Sequence, residues 1–429
     1  MHLRHFPRAL LLALAPRQAR WAYPTALGPW ARGAAGVAGL ACSLVSGLAG
    51  LSPATRTPPP AETTLIPTTS APTEVPAATQ PLPPADTAQP AATPSSPPTA
   101  VALASTLAPA GPAISPDNWD DLGTLAATDF FVGGASGTLD GLAWSPEGRT
   151  FAVSFRIVHL FDAVSLEQVY PLSSGGEWNA TGGVAFSPDG RLLASGEYGP
   201  NVFLADAADR RPLAPLQRSS SGWVLSVAFS PDGGRLASAS EDGEVQVWEV
   251  ATGDLAWTGA EHPEPVRAIA WSPDGQLIAS AGDDATVRLW DASDGDSLRA
   301  LEHEAAVTDV AFSPAGDVLL TASRHVQLWD HQSGQLMETF RLKEAAPHVA
   351  FNPSGSLFAA GRCAQRAEDA PFTCAEEGEI LLWETESRTF LGTLRGHEGV
   401  NVLVAFSPDG SRLLSVSDDA TMRLWAVSP

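Results

Sequence analysis

Four side chains near the C-terminus, His397, Ser415, Asp419 and Trp425, are of types and at spacings that could do chemistry. Serine, histidine and a carboxylate brought together are the parts of a hydrolytic relay, in which the imidazole takes the serine proton and the carboxylate orients the imidazole. The set recurs, however. His262, Ser280, Asp284 and Trp290 keep the same separations of 18, 4 and 6 residues. Ser238, Asp242 and Trp248 form a further version that lacks the histidine. A hydrolase of this kind needs one nucleophile on a strained turn that exposes its hydroxyl, and none of the copies holds a Gly-x-Ser-x-Gly stretch. Recurrence points to a framework role.

Metal chemistry fares no better. Asp189, Asp232, Asp274 and Asp409 each sit in a separate Ser-Pro-Asp-Gly turn, so each offers one carboxylate where calcium needs about six converging oxygens. The run Asp291-Ala292-Ser293-Asp294-Gly295-Asp296 comes closer to a calcium loop, but its register puts Trp290 first and Leu301 last, where acids are required. The sequence calls for no metal and no cofactor.

The elements that must position these residues are visible as a repeat. The phrase LAWSPEG at 142–148 returns as VAFSPDG at 184–190 and 227–233, and as IAWSPDG at 269–275. It continues as VAFSPAG at 310–316, VAFNPSG at 349–355 and VAFSPDG at 404–410, with the prolines separated by 42, 43, 42, 41, 39 and 55 residues. Proline presets φ and glycine accepts a positive φ, so the core of each phrase is a tight reverse turn between two strands. A second turn and a third strand ending in Trp follow, as in Val245-Gln246-Val247-Trp248, and a more polar fourth strand leads to the next copy. Four antiparallel strands in about 40 residues cannot bury both faces alone, and packing the copies radially solves this.

Charge and composition bound the partners. From Glu62 onward the 429-residue chain carries 48 acids against 19 basic residues, with Lys343 its only lysine. Such a surface excludes nucleic acid as the main partner and leaves a membrane only through the N-terminus. Residues 1–32 hold five arginines and no acid, and 33–51 form an apolar run that reads as an export signal or anchor. Gly39-Leu40-Ala41-Cys42-Ser43 resembles a bacterial lipoprotein cleavage box, so lipidation at Cys42, an uncleaved anchor and ordinary cleavage all stand open. Residues 52–117 contain 17 of the 37 prolines and too few large apolar side chains for a core, which describes a disordered Pro/Thr-rich spacer. The expected localisation is outside the cytoplasmic membrane of a bacterium, tethered or secreted. In that compartment Cys363 and Cys374, which bracket an insertion in the sixth copy, are a candidate disulfide.

Residues 118–429 resemble WD-repeat β-propellers, on the signature pairs Trp248-Glu249, Trp290-Asp291, Trp329-Asp330 and Trp383-Glu384. The first two copies depart, with Phe161-Asp162 and Ala205-Asp206, and the last has Trp425-Ala426. The resemblance implies an all-β fold, a monomeric ring of seven four-stranded antiparallel blades. It also implies that the His, Ser, Asp and Trp sets are buried hydrogen-bond networks. Because the chain stops after the third strand of the last copy, a strand ahead of the first must close the ring, and Ala127–Gly133 is the expected one. Partners of this family dock where loops precede the innermost strands, which here means Trp178, Trp223, Arg267, Thr308 and Asn401. Either Trp could instead plug a blade junction. The function implied is a non-catalytic scaffold for unspecified protein partners. A glycan- or cell-wall-binding propeller and a propeller hydrolase or lactonase are the alternatives.

Overall fold

A computed structural model describes residues 111–129, 139–155, 157–171, 180–197, 199–218, 221–363, 366–367, 370–399 and 402–427. The Arg-rich leader, the apolar run with Cys42 and the spacer as far as residue 110 lie outside the described residues, as do Trp178 and Asn401.

Each copy of the repeat folds into one antiparallel meander. Blade four is typical, with strands Val266–Trp271, Leu277–Gly282, Thr286–Asp291 and Ser297–Glu302 hydrogen-bonded in sequence order. Seven such sheets are present, and the sixth carries an extra short strand, Arg366–Ala367, that pairs with the long strand Ala370–Glu384. The turn between the first and second strands explains why the Ser-Pro-Asp-Gly phrase recurs. In blade two the buried Ser187 hydroxyl donates to Asp189 at 2.6 Å and accepts from the Leu192 N–H at 2.9 Å, which locks both ends of the turn. Gly190 takes φ 71° there, a region other residues enter only with strain.

These turns also interlock the blades. A Cβ built on Gly190 would meet Pro146 Cδ of the preceding blade at 3.6 Å, and one on Gly148 would meet Pro408 Cδ at 3.7 Å, so the series runs from blade seven back to blade one. The Trp144 indole donates across that junction to Ala405 O at 3.2 Å, and Arg412 donates to Ala163 O at 3.0 Å. Apolar side chains fill the space between neighbouring sheets. Between blades four and five, for example, Leu289, Leu301, Val310, Leu319 and Trp329 form one buried cluster.

The closing strand is real but is not the one expected. Leu122–Asp129 pairs antiparallel with Thr421–Val427, from Leu122 opposite Val427 to Asp129 opposite Thr421, with a bulge between Thr124 and Ala126. The expected segment, Ala127–Gly133, overlaps it only at Ala127, Thr128 and Asp129, and Phe130 onward lies outside the described residues. The outer strand has one face toward solvent, where Leu125 is exposed, so it carries little of the hydrophobic pattern that would mark its bounds.

The boundary of the propeller also lies earlier than residue 118. Ile114 is buried between blades six and seven among Leu357, Phe406, Leu413 and Trp425. Its N–H donates to Gly410 O at 2.8 Å and its carbonyl accepts from Asn352 Nδ2 at 3.2 Å. A short 3-10 turn, Trp119–Asp121, follows, and the Trp119 ring lies so close to Gly392 that an added Cβ would come within 2.1 Å.

Candidate functional site

The relay-like geometry exists in blade four. His262 Nδ1 lies 2.9 Å from Asp284 Oδ2 and His262 Nε2 lies 2.7 Å from Ser280 Oγ. The Trp290 indole donates to the same hydroxyl at 2.8 Å. Burial pushes the His262 pKa down, and the charge of Asp284 and its hydrogen bond only partly oppose this, so the ring is neutral near pH 7. A carboxylate only accepts, so Nδ1 carries the proton and Nε2 accepts from Ser280. Every polar atom of the chain Trp290–Ser280–His262–Asp284 is therefore matched. What a nucleophile needs and this serine lacks is access, because Ser280 is 0% exposed and sealed by the indole.

Blade seven repeats the arrangement. His397 Nε2 lies 2.8 Å from Ser415 Oγ, which accepts from Trp425 Nε1 at 2.9 Å, while Nδ1 faces Thr421 Oγ1 at 2.9 Å and Asp419 Oδ2 at 3.3 Å. Burial alone would raise the Asp419 pKa. Hydrogen bonds from His397, Thr421 and the Glu398 N–H outweigh it and hold the carboxyl well below the usual range.

The third set does not assemble this way. Ser238 Oγ is buried with no hydrogen-bond partner among the described residues. Arg218 takes the place of the missing histidine, a residue that sequence reasoning missed. Its side chain is 0% exposed and reaches Asp242 and Glu244 at 3.0 Å each and Gln246 Oε1 at 3.0 Å. It enters from just past the outer strand of blade two, Leu216–Gln217, as His262 does from blade three, but it is an arginine and lies 20 rather than 18 residues before the serine. Ser195 in blade two is orphaned in the same manner, where Ala205 stands at the Trp position, and in blade one Val153 occupies the serine position and Phe161 the Trp position.

Blade five holds a network that sequence reasoning also missed. His303 Nε2 lies 2.9 Å from Thr321 Oγ1, which accepts from Trp329 Nε1 at 3.2 Å. The spacing from His to hydroxyl is again 18 residues, a usable signal hidden by the exchange of Ser for Thr. The following turn, Ser323-Arg324-His325, has no acid, and His303 Nδ1 instead faces its neighbour's carbonyl, Leu301 O, at 3.1 Å. With no carboxylate to oppose it, burial pushes the His303 pKa down to about 4.

Of the candidate docking residues, Trp223, Arg267 and Thr308 occupy the same edge of three consecutive blades, at or just ahead of the first strands. Trp223 is 44% exposed, so it does not plug a junction. Arg267 Nε donates to Asp283 Oδ1 at 2.9 Å, and Thr308 Oγ1 donates to Ala322 O at 3.3 Å. The inner strands enclose a central cavity of about 450 Å³. Asp309 sits in it, accepting from the Val349 N–H at 2.9 Å with His348 Nδ1 at 3.4 Å, and so links blades five and six. Cys363 and Cys374 lie on paired segments of blade six, Cys363 opposite Gly378 and Cys374 opposite Arg366. Their side chains, and with them the expected disulfide, lie outside the described residues.

In blades four and seven the His, Ser and Asp groups satisfy one another, and in the calcium-like run the carboxylates cap backbone N–H groups of their own turn. Asp291 Oδ1 accepts from the Ser293 N–H at 2.8 Å and Asp294 Oδ1 from the Asp296 N–H at 3.0 Å.

Comparison with known proteins places this framework. The model of the WD domain, G-beta repeat (WD40), matches residues 211–249, 253–291, 295–330 and 388–426. Each match spans the outer strand of one blade and the three inner strands of the next, so sequence repeats and blades are offset by one strand. WD repeat-containing protein 82 of Drosophila melanogaster is 31% identical over 134 residues, 29% of this chain and 42% of that protein. Cell division cycle 20.1, cofactor of APC complex, of Arabidopsis thaliana is 24% identical over 295 residues, 68% of this chain and 54% of that protein. Lissencephaly-1 homolog 1 of Paramecium tetraurelia is 47% identical over 51 residues, 12% of this chain and 13% of that protein. The chain thus spans about half or less of the length of these relatives. All three are eukaryotic and lend no support to a bacterial exported type. The propeller is therefore similar to WD40-repeat proteins over these four stretches, and three of its blades hold the same His–hydroxyl–Trp network.

Proposed function

We propose that the ring is a non-catalytic platform for protein partners, docking through the edge that carries Trp223, Arg267 and Thr308. The observation that carries this reading is the contrast between sealed and open residues. The His, Ser and Asp groups of blades four and seven are buried and mutually satisfied, whereas Trp223 is 44% exposed on the blade next to the one with the Arg267–Asp283 pair. Exposed aromatic and arginine side chains on a rigid rim are the usual anchors of protein interfaces. The relative described as a cofactor of the APC complex works within an assembly by that description, which agrees with a platform role.

The N-terminal residues support a placement outside the cytoplasmic membrane. An Arg-rich start, an apolar run and a proline-rich spacer are the order of an exported, tethered domain. In that setting Cys42 is the lipidation candidate and Cys363 with Cys374 the disulfide candidate.

Affinity capture with the full chain beside a Trp223→Ala/Arg267→Ala variant tests the platform. One dominant protein bound by the wild type and lost by the variant is the expected result. Retention on cell-wall glycan with no protein, or turnover of a lactone panel, would overturn the reading and turn attention to the central cavity.

A further inference from the structure

The clefts around the ring differ in charge. The one between blades three and four, about 650 Å³, sets Asp232, Glu249, Asp274 and Asp291 against Arg235, in keeping with the acidic chain. The side of blade six reverses this. A groove of about 400 Å³ there is lined by Arg341, Lys343, Arg362 and Arg395 against a single acid, Glu379.

Its floor is one face of two paired strands, with Glu379 opposite Arg395, Leu381 opposite Thr393 and Trp383 opposite Phe390. Alternate residues share a face, and from 379 to 383 the floor runs about 13 Å, the length of roughly four extended residues. Its chemistry is graded along that length. At one end Glu379, 5% exposed, is shared by Arg362 at 2.8 Å and Arg395 at 2.7 Å. At the other, Phe390 covers the buried Trp383 edge-on at 5.6 Å and remains 50% exposed. Arg341 and Lys343 are exposed on the wall, and neither has an ion-pair partner among the described residues.

We propose that this groove binds an extended acidic segment of a partner protein, its carboxylates on Arg341, Lys343 and Arg395 and an apolar side chain on Phe390. Charge complementarity selects the ligand. The lining itself sets four cations against one carboxylate, with Glu344 and Glu377 flanking it in sequence, on a chain whose net charge is −23. The aromatic end favours a peptide over a free anion, and cations set in a side groove are poorly placed to meet a flat membrane. Because the groove is distinct from the Trp223 edge, the proposal stands or falls separately from the platform reading of that edge.

The test is fluorescence anisotropy with the full chain and a fluorescein-labelled peptide alternating Glu and Leu. Saturable binding that weakens with added salt and falls about tenfold in Arg341→Glu/Lys343→Glu is the expected result. Both residues are exposed, so the melting temperature should not change, and Trp223→Ala should bind the peptide as the wild type does. Equal binding by the charge-reversed variant, preference for a peptide alternating Lys and Leu, or no saturable binding would overturn the proposal. So would co-sedimentation with anionic phospholipid vesicles in the absence of peptide binding.

Discussion

Blades four and five use the same imidazole–hydroxyl–indole core and differ at one end of it. In blade four His262 leans on a carboxylate, Asp284, at 2.9 Å, whereas in blade five His303 leans on a neutral carbonyl, Leu301 O, at 3.1 Å. The difference teaches that the part shared by both, a hydroxyl held between imidazole and indole, is what the blade geometry requires. The acid is an added support that keeps a buried imidazole comfortable as pH falls. Blade three marks the limit of substitution, because Arg218 recruits the acid there and leaves the Ser238 hydroxyl unpaired.

Truncating the shared part should have the largest effect. Trp290→Ala and Trp329→Ala remove buried indoles from equivalent sites, and each is expected to cost about 3–5 kcal/mol in urea unfolding. A much smaller loss for Trp329→Ala would break the equivalence of the two blades. Arg218→Ala comes next, at about 3 kcal/mol, since it strands Asp242 and Glu244 without their buried cation.

The acid response sharpens the comparison further. His303 has a folded pKa of about 4 against 6.5 unfolded, so between those values the unfolded chain binds a proton that the folded chain refuses. Stability should be fully present above pH 6.5 and fall as pH drops toward 4, by about 2 kcal/mol after allowance for partial solvent screening. His303→Gln should shrink that slope in unfolding midpoints measured from pH 7 to 4. The smallest effect is expected for Asp284→Ala, about 1.5 kcal/mol at neutral pH from losing a carboxylate that accepts from His262 and from the Thr286 N–H and hydroxyl. The variant should then steepen the acid slope, because only the charge of Glu261 is left to oppose the burial of His262. An unchanged slope would show that the carboxylate does not buffer the imidazole.

Much of this was legible before any coordinates. The Ser-Pro-Asp-Gly turn announces itself because proline, glycine and the serine cap each have a local reason to be there. The full networks of blades four and seven were equally visible, since identical residues recur at identical spacings. What escaped depends on partners distant in sequence or on substitutions that keep the chemistry and change the letter. Thr321 does for blade five what serine does elsewhere, in front of a shortened turn. Arg218 stands where the other sets carry histidine and at a different spacing from its serine. Leu122–Asp129 was misplaced because an outer strand, half in solvent, carries little hydrophobic pattern, and Ile114 was hidden in a stretch whose prolines suggested no packing at all.

The docked segment around Ile114 has a mechanical consequence. Tension entering from the N-terminal side meets the Ile114 anchor and its two hydrogen bonds before it reaches the seam between Leu122–Asp129 and Thr421–Val427. The buried isoleucine therefore works as a strain relief, like the knot inside a lamp cord. A pull from the N-terminal side falls first on the Ile114 contacts, and the closing strand is loaded only after they have slipped.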